Sequence, residues 1–195
     1  MSVSRETDTA LRNFSSLLLA ENERQNLISR RSADELWTRH IDDCLQLLDH
    51  APLDGRWLDI GSGPGLPGIV LAIAGVRHIT LVEPRRLRTE FLERCRDELG
   101  LANLTIVTGK AEQLKGQFDV ITARAVATLD KLFAIGTPLI ASEGRWVLPK
   151  GRSAEKELVE ASATWQGDFQ LKTSRTDPDA RILVAERVRR RMGRE

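Results

Sequence analysis

The stretch Asp59-Ile60-Gly61-Ser62-Gly63-Pro64-Gly65-Leu66-Pro67-Gly68 constrains this chain more than any other. Before it, Arg56-Trp57-Leu58 reads as a short buried strand. After it, Ile69-Val70-Leu71-Ala72-Ile73-Ala74 reads as the apolar face of a helix ended by Gly75. A strand, a glycine hinge and a helix start make a nucleotide-binding turn, because glycine takes positive φ and lets backbone N–H groups approach a ligand. Pro67 falls where a first helical turn tolerates proline.

Strand and helix patterns alternate downstream. Residues 78–82 read as a strand with Glu83 at its C-terminal end. Residues 85–99 read as a helix packing Leu87, Phe91, Leu92 and Cys95, with Gly100 as a left-handed stop. Residues 104–107, 118–122 and 145–148 are further strands, and 129–135 is a short helix. Residues 153–165 form an amphipathic helix, and 169–173 and 181–187 are the last strands. Such alternation implies an α/β fold, a mostly parallel seven-stranded sheet with helices on both faces. Ligands of these sheets sit at the carboxyl ends of the strands, near the switch point. Asp59, the glycines, Glu83, Glu112, Arg124 and Lys150 all lie at those ends and are expected to converge on one crevice.

Before the glycine stretch the chain is helical. Residues 7–21 place Leu11, Phe14, Leu17 and Leu18 on one face. Ser32-Ala33-Asp34-Glu35 reads as a capping box opening a second helix, with Leu36, Trp37, Ile41, Cys44, Leu45 and Leu48 apolar, that ends before Pro52. Residues 1–52 are thus expected as a helical extension packed on a ligand-binding unit of residues 53–195, one compact domain overall. The first 50 residues carry nine acidic and six basic side chains, so they are not a basic arm. A net charge of +1 confines any nucleic-acid site to a local patch. The tail Arg187-Val188-Arg189-Arg190-Arg191 is basic and expected to fray, as a phosphate contact or as a solvated end. Cys44 and Cys95 lie in helical patterns without metal-ligand spacing, which predicts reduced core thiols and no metal. With no apolar signal core and no 18-residue apolar run, the expectation is a soluble, cytoplasmic protein, taken as a monomer, with no membrane partner.

The glycines admit two readings. Gly61, Gly63 and Gly65 follow Asp59 as acidic-x-Gly-x-Gly-x-Gly, which resembles the first motif of Rossmann-like methyltransferases that use S-adenosylmethionine (SAM). Gly63, Gly65 and Gly68 also spell G-x-G-x-x-G, the dinucleotide fingerprint. The first is favoured, because a fingerprint opening at Gly63 lies three residues beyond Ile60, too far from the strand end. Glu83 falls 20 residues after Gly63, where a carboxylate accepts ribose hydroxyls in either class. Glu112 is placed to lie beside an adenine read by nearby backbone N–H groups, or to be an ordinary loop acid. Arg124 stands among small residues at a strand exit. Its fork suits a phosphate or a base edge with two acceptors, or a salt bridge bracing the loop. Arg39-His40 admits a bland reading too, a polar helix face with Arg39 paired to Asp43 at i,i+4. No Asn/Asp-Pro-Pro-aromatic motif ends the 118–122 strand, which disfavours methylation of exocyclic amines. No cysteine stands at the crevice, which disfavours carbon-5 pyrimidine methylation. Walker A and G-x-S-x-G motifs are absent.

From about Asn22 to Val184 the chain resembles the bacterial small-subunit rRNA guanine-N7 methyltransferase G family, also called glucose-inhibited division protein B. The resemblance rests on Asn26-Leu27, Arg39-His40-Ile41 with Asp43, Gly61 to Gly68, Glu83 with Phe91-Leu92, Ala111-Glu112, Arg124-Ala125-Val126-Ala127 and Lys150-Gly151. The Gly-Leu-Pro-Gly ending and the Arg-His-Ile-x-Asp segment are its specific parts. Ile28, Cys44, Leu87, Lys110 and Ala123 depart from the family's usual Thr, Ser, Lys, Arg and Ser. Leu87 removes a cation near the cofactor rim that Arg85, Arg86 or Arg88 is placed to supply. The resemblance implies a Rossmann-like class I SAM-dependent fold and methyl transfer to N7 of a guanine, conventionally nucleotide 527, in 16S rRNA or a small-subunit assembly intermediate. It implies that Asp59, Gly61, Ser62, Gly63, Gly65 and Leu66 hold the methionine end of SAM, Glu83 the ribose, and Ala111 and Glu112 the adenine. Arg124 would border cofactor and guanine alike, with Arg39 and His40 facing the active site and Arg39, Lys150 and Arg88 on RNA. Three other readings stay open: a small-molecule SAM methyltransferase, an NAD-dependent oxidoreductase and a non-enzymatic rRNA-binding module.

Overall fold

The computed structural model describes residues 3–191, without the side chains of Arg31 and Ser32, so the Ser32 half of the expected capping box lies outside it. Helix α1 (Arg5–Gln25) starts where Ser4 Oγ accepts the Thr7 N–H at 3.2 Å. It ends where Asn26 turns left-handed (φ 50°) and donates its N–H to the Asn22 carbonyl. These caps carry it past the expected 7–21 at both ends. The expected regular second helix is instead uneven: α2 (Arg30–Asp34), a π-helical turn (Trp37–Asp42), α3 (Asp43–Leu45) and a 3₁₀ segment (Gln46–His50). A π turn is wider than an α turn and often marks a functional site. Here it brings two consecutive residues, His40 and Ile41, inside together.

The remaining elements are β1 (Arg56–Ile60), α4 (Gly68–Ile73), β2 (His78–Glu83), α5 (Arg86–Glu98), β3 (Leu104–Thr108), β4 (Phe118–Thr122), α6 (Leu129–Gly136), β5 (Ile140–Lys150), α7 (Ala154–Ala161), β6 (Trp165–Thr173) and β7 (Arg181–Arg190). They build one seven-stranded sheet in the order β3-β2-β1-β4-β5-β7-β6. β1 to β5 pair in parallel, and β7 runs antiparallel to β5 and β6. Strand order reverses between β1 and β4, and ligands of such sheets bind there. The two-residue strand period feeds two cores. Trp57, Leu81 and Val147 join Leu11, Phe14, Leu18, Ile41 and Phe91 on one face. Leu58, Ile60, Ile121 and Trp146 join Phe133 of α6 and Trp165 on the other, where the Phe133 ring stands edge-on to Trp146 at 5.1 Å.

Four expectations are corrected. Leu87 is 65% exposed, so α5 packs through Thr89, Phe91, Leu92 and Cys95 instead. Helix α7 stops at Ala161, and Trp165 opens β6, its ring in the core and its indole N–H donated to Asp130 at 2.8 Å. β5 starts at Ile140, because Phe118 of β4 pairs with it across a bulge. The basic tail does not fray through Arg190: once β6 begins at Trp165, it pairs with Arg190, and Gln166 with Arg189.

α1 is locked down by charge as well as by its apolar stripe. Glu21 is buried and takes hydrogen bonds from Arg94 of α5 and from Gln25 (2.7 Å), and Gln25 also donates to the Leu87 carbonyl at 2.9 Å. No helix among the described residues is long and apolar enough to cross a membrane. Because Phe14 belongs to the same core as α4 and α5, Phe14→Ala is expected to cost about 3–5 kcal/mol. In urea the whole chain should shift as one transition. Two separate transitions would show that the N-terminal helices are a unit apart.

Candidate active site

The turn between β1 and α4 is held from within. Asp59 has no exposed surface. Its Oδ2 accepts the Gly68 N–H at 3.1 Å and its carbonyl accepts the Ser62 hydroxyl at 3.0 Å, while Oδ1 is buried without a partner. The Gly61 and Ser62 N–H groups bond the Val82 carbonyl (2.8 and 3.2 Å), stitching the turn to β2. At the end of β2 the buried Glu83 accepts the Gly63 N–H on Oε2 and the Arg85 N–H on Oε1, both at 3.0 Å. Arg88 Nη1 lies 3.7 Å from the same carboxylate. Gly61 and Gly63 sit at φ 68° and 51°, a region that side chains with a Cβ rarely adopt. A Cβ on Gly61 would lie 2.8 Å from Val126 Cγ2. One on Gly63 would meet nothing closer than Arg88 Nη1 at 3.5 Å, so the turn is open beside Glu83. Leu66 is buried under this turn. Across the β3 exit, Ala111 is buried and Glu112 exposed in a 3₁₀ turn (Ala111–Gln113). The first N–H groups of such a turn have no partner within it.

The second wall is the loop Ala123–Thr128 that leaves β4. Arg124 Nη2 donates to the Arg39 carbonyl (3.0 Å) and to His40 Nδ1 (2.7 Å), and lies 3.7 Å from Asp43 Oδ2. An arginine only donates, so Nδ1 is the acceptor and the His40 proton is assigned to Nε2. Nε2 is buried without a partner. Burial first, then the Arg124 and Arg39 charges, push the His40 pKa down to about 4, so the ring is neutral at pH 7. Arg39 pairs with Glu35 at 3.2 Å, not with Asp43. Asp43 is turned inward, accepting from Gln46 (2.9 Å) and Thr176 (2.8 Å), and so ties the β6–β7 connection to the Arg124 side of the site. The Cys44 thiol, 3.7 Å from Arg124 Nη1, is pushed up to about 12 by burial and is no nucleophile.

A cleft of about 870 Å³ opens on the β4–β5 side, lined among others by Arg39, His40, Arg124, Lys150, Asp177 and Arg181. Arg124, Ala125 and Ala127 form its wall, while Val126 between them lies over Gly61. Ala125 takes φ 53°, and this left-handed residue lets neighbouring side chains face opposite ways. Glycine turn and cleft therefore share one partition. Of the expected residues, the structure gathers Asp59, Gly61, Ser62, Gly63, Glu83 and Arg88 on one side of it and Arg39, His40, Arg124 and Lys150 on the other. Lys150 is only 10% exposed along its side chain, its ammonium 2.9 Å from Glu157 Oε2 and 3.3 Å from the Ala127 carbonyl. Sequence reading missed Glu157, Thr176 and Arg181, which no motif marks and which only the sheet order brings here, and gave no role to Val126, although it lies in the Arg124-Ala125-Val126-Ala127 segment.

Burial above all raises the Asp59 pKa to about 7, with the nearby Glu83 charge adding to it and the neighbouring Ser62 hydroxyl and the Gly68 hydrogen bond opposing. The folded state thus binds this proton more tightly than the unfolded chain. Asp59's contribution is full below about pH 4 and is lost as pH rises through 7, up to roughly 4 kcal/mol. His40 has the opposite sign: its contribution is full above about pH 6.5 and is lost as pH falls towards 4. Asp59→Asn keeps an acceptor for Gly68 and removes the charge. Denaturant unfolding of the ligand-free protein should find the variant modestly more stable than wild type at pH 5 and more stable by a larger margin at pH 8. Equal destabilisation at both values would contradict the raised pKa.

The description rRNA small subunit methyltransferase G belongs to a family model that matches residues 7–180. The ribosomal RNA small subunit methyltransferase G of Zymomonas mobilis subsp. mobilis is 44% identical, over 95% of this chain and 88% of its own. That of Novosphingobium aromaticivorans is 46% identical, over 86% and 75%. Among solved structures, a fibrillarin/Nop5p complex is similar with a TM-score of 0.60 at 17% identity, over 77% of this chain and 82% of that one. MtNAS in complex with S-adenosylmethionine is similar with a TM-score of 0.61 at 20% identity, over 92% and 75%. These structural likenesses show the Rossmann-like class I fold. Sequence and fold together make the chain a SAM-dependent methyltransferase, and it belongs to the rRNA small subunit methyltransferase G family.

Proposed function

We propose that this protein methylates N7 of a guanine, nucleotide 527, in 16S small-subunit rRNA. The observation that carries this reading is the shared partition: the loop Ala123–Thr128 borders the glycine turn through Val126 and the wide cleft through Arg124. A methyl donor bound on one side and a base entering from the other meet at its edge.

The residues fit SAM. The unpartnered Asp59 Oδ1 and the open face of Gly63 are a place for its methionine end, with Gly61, Ser62, Gly65 and Leu66 shaping the turn. Each Glu83 oxygen already accepts one backbone N–H and retains a lone pair for a ribose hydroxyl. Ala111 and Glu112 offer N–H groups to the adenine edge. SAM supplies a methyl group on a sulfonium, a good leaving group. Guanine N7 carries a lone pair and no proton, so the chain need not supply a base, and the neutral, buried His40 suits a site that moves no proton. The work left to the protein is alignment, which in well-oriented systems contributes roughly 7–11 kcal/mol. Arg124 presents donors to guanine O6 or a neighbouring phosphate. Its bonds to His40 and the Arg39 carbonyl fix its direction. Arg39 and Arg88, at the two rims, meet the RNA backbone. The cleft is open and charged, which favours a polymer over an enclosed small molecule.

The test uses labelled SAM and small-subunit RNA, naked and assembled, from cells lacking this protein, with borohydride and aniline cleavage to map N7-methylguanosine. One cut, at guanine 527, is expected. Arg124→Ala should keep SAM affinity and lose roughly 100-fold or more in transfer. No cut, a cut elsewhere, or unchanged transfer in the variant would overturn the reading.

A further inference from the structure

Lys150 ends β5 beside the cleft, where a cation invites assignment to an RNA phosphate. Its surroundings argue otherwise. The ammonium is nearly buried and has two of its three donors placed, on Glu157 Oε2 at 2.9 Å and the Ala127 carbonyl at 3.3 Å. Glu157 of α7 is fixed in turn, with Oε1 accepting the Ser153 hydroxyl at 2.7 Å. Burial works to raise the Glu157 pKa. The bonds from Lys150 and Ser153, with the Leu129 N–H that opens α6, outweigh it and hold the carboxyl below its usual value. Thr128 caps α6 without a side-chain bond of its own. Lys150 and Glu157 therefore grip the junction of the Ala123–Thr128 loop with α6. Arg124, on His40 and the Arg39 carbonyl, grips its other end. A phosphate drawn to the Lys150 ammonium would also be forced beside the Glu157 carboxylate, a like charge.

We propose that Lys150 and Glu157 are positioning residues for methyl transfer: together they set the height of the loop that holds Arg124 towards the substrate and Val126 over Gly61. This rests on the cleft being the RNA methylation site. The pair touches neither substrate nor cofactor; it acts through the Ala127 carbonyl and the start of α6.

Two variants separate this role from a phosphate contact. In Lys150→Met and Glu157→Gln, transfer to small-subunit RNA is measured at saturating SAM and RNA, and RNA binding is measured across a salt series. Glu157→Gln keeps the shape and most hydrogen bonds, so it reads the role even if Lys150→Met folds poorly. The expected result is a kcat lowered roughly 10- to 100-fold in both, as for a misplaced reacting group. RNA Kd and its salt slope should match wild type. A phosphate-binding Lys150 gives the opposite pattern. Lys150→Met would then weaken RNA binding and flatten the salt slope by about 0.7–0.9 at unchanged kcat. Glu157→Gln, by freeing the ammonium, would tighten RNA binding. Either result overturns the proposal. Wild-type protein that labels no small-subunit RNA would instead overturn the functional reading beneath it.

Discussion

A carboxylate with no exposed surface holds the turn on which the site is built. Asp59, on β1, reaches under the glycines and takes the first N–H of α4, so strand and helix cannot separate without leaving that N–H unpaired. The cost is visible in its pKa, raised to about 7 chiefly by burial, and in an oxygen with no partner. Unsatisfied buried groups are rare and call for an explanation. On the cofactor placement proposed above, the ammonium of the SAM methionine end supplies one.

The rest of the active site hangs on the strand-order reversal between β1 and β4. It places the glycine turn and the Ala123–Thr128 loop side by side. The π turn at Trp37–Asp42 then delivers the His40 ring and the Arg39 carbonyl to the guanidinium of Arg124. Asp43, beside that guanidinium, is itself held by Gln46 and Thr176, and at the far end of the loop the Ala127 carbonyl accepts from Lys150, which Glu157 pairs. A reaction that needs alignment and no proton transfer is served by such bracing.

Much of this was legible in the chain. Apolar runs bounded by glycine marked β1, β2 and β4, and the Asp59-to-Gly68 spacing marked the cradle, because those signals are local. The misreadings arose where a partner decides. Trp165 fits a helical stripe after Ser153, yet it opens a strand because β7 is there to pair with it. Leu87 falls on the apolar face of a helical wheel, yet it projects outward at the start of α5. Arg39 has Asp43 four residues on, but the wider π turn and the Thr176 contact take Asp43 elsewhere. Lys150 was readable as a cation at a strand end. That its charge is already answered depends on Glu157, which no short-range pattern connects to the Arg124 loop.

The most direct test of the account is calorimetric titration of wild type and Gly63→Asn with SAM, and of wild type with NAD. Asparagine accepts the left-handed backbone of Gly63, so the variant is expected to stay folded while its side chain fills the open face beside Glu83. The account predicts that wild type binds SAM and not NAD, and that the variant loses SAM affinity by roughly 10-fold or more, a change of about 1.4 kcal/mol at least. A folded variant that binds SAM as tightly as wild type would place the cofactor elsewhere and contradict it.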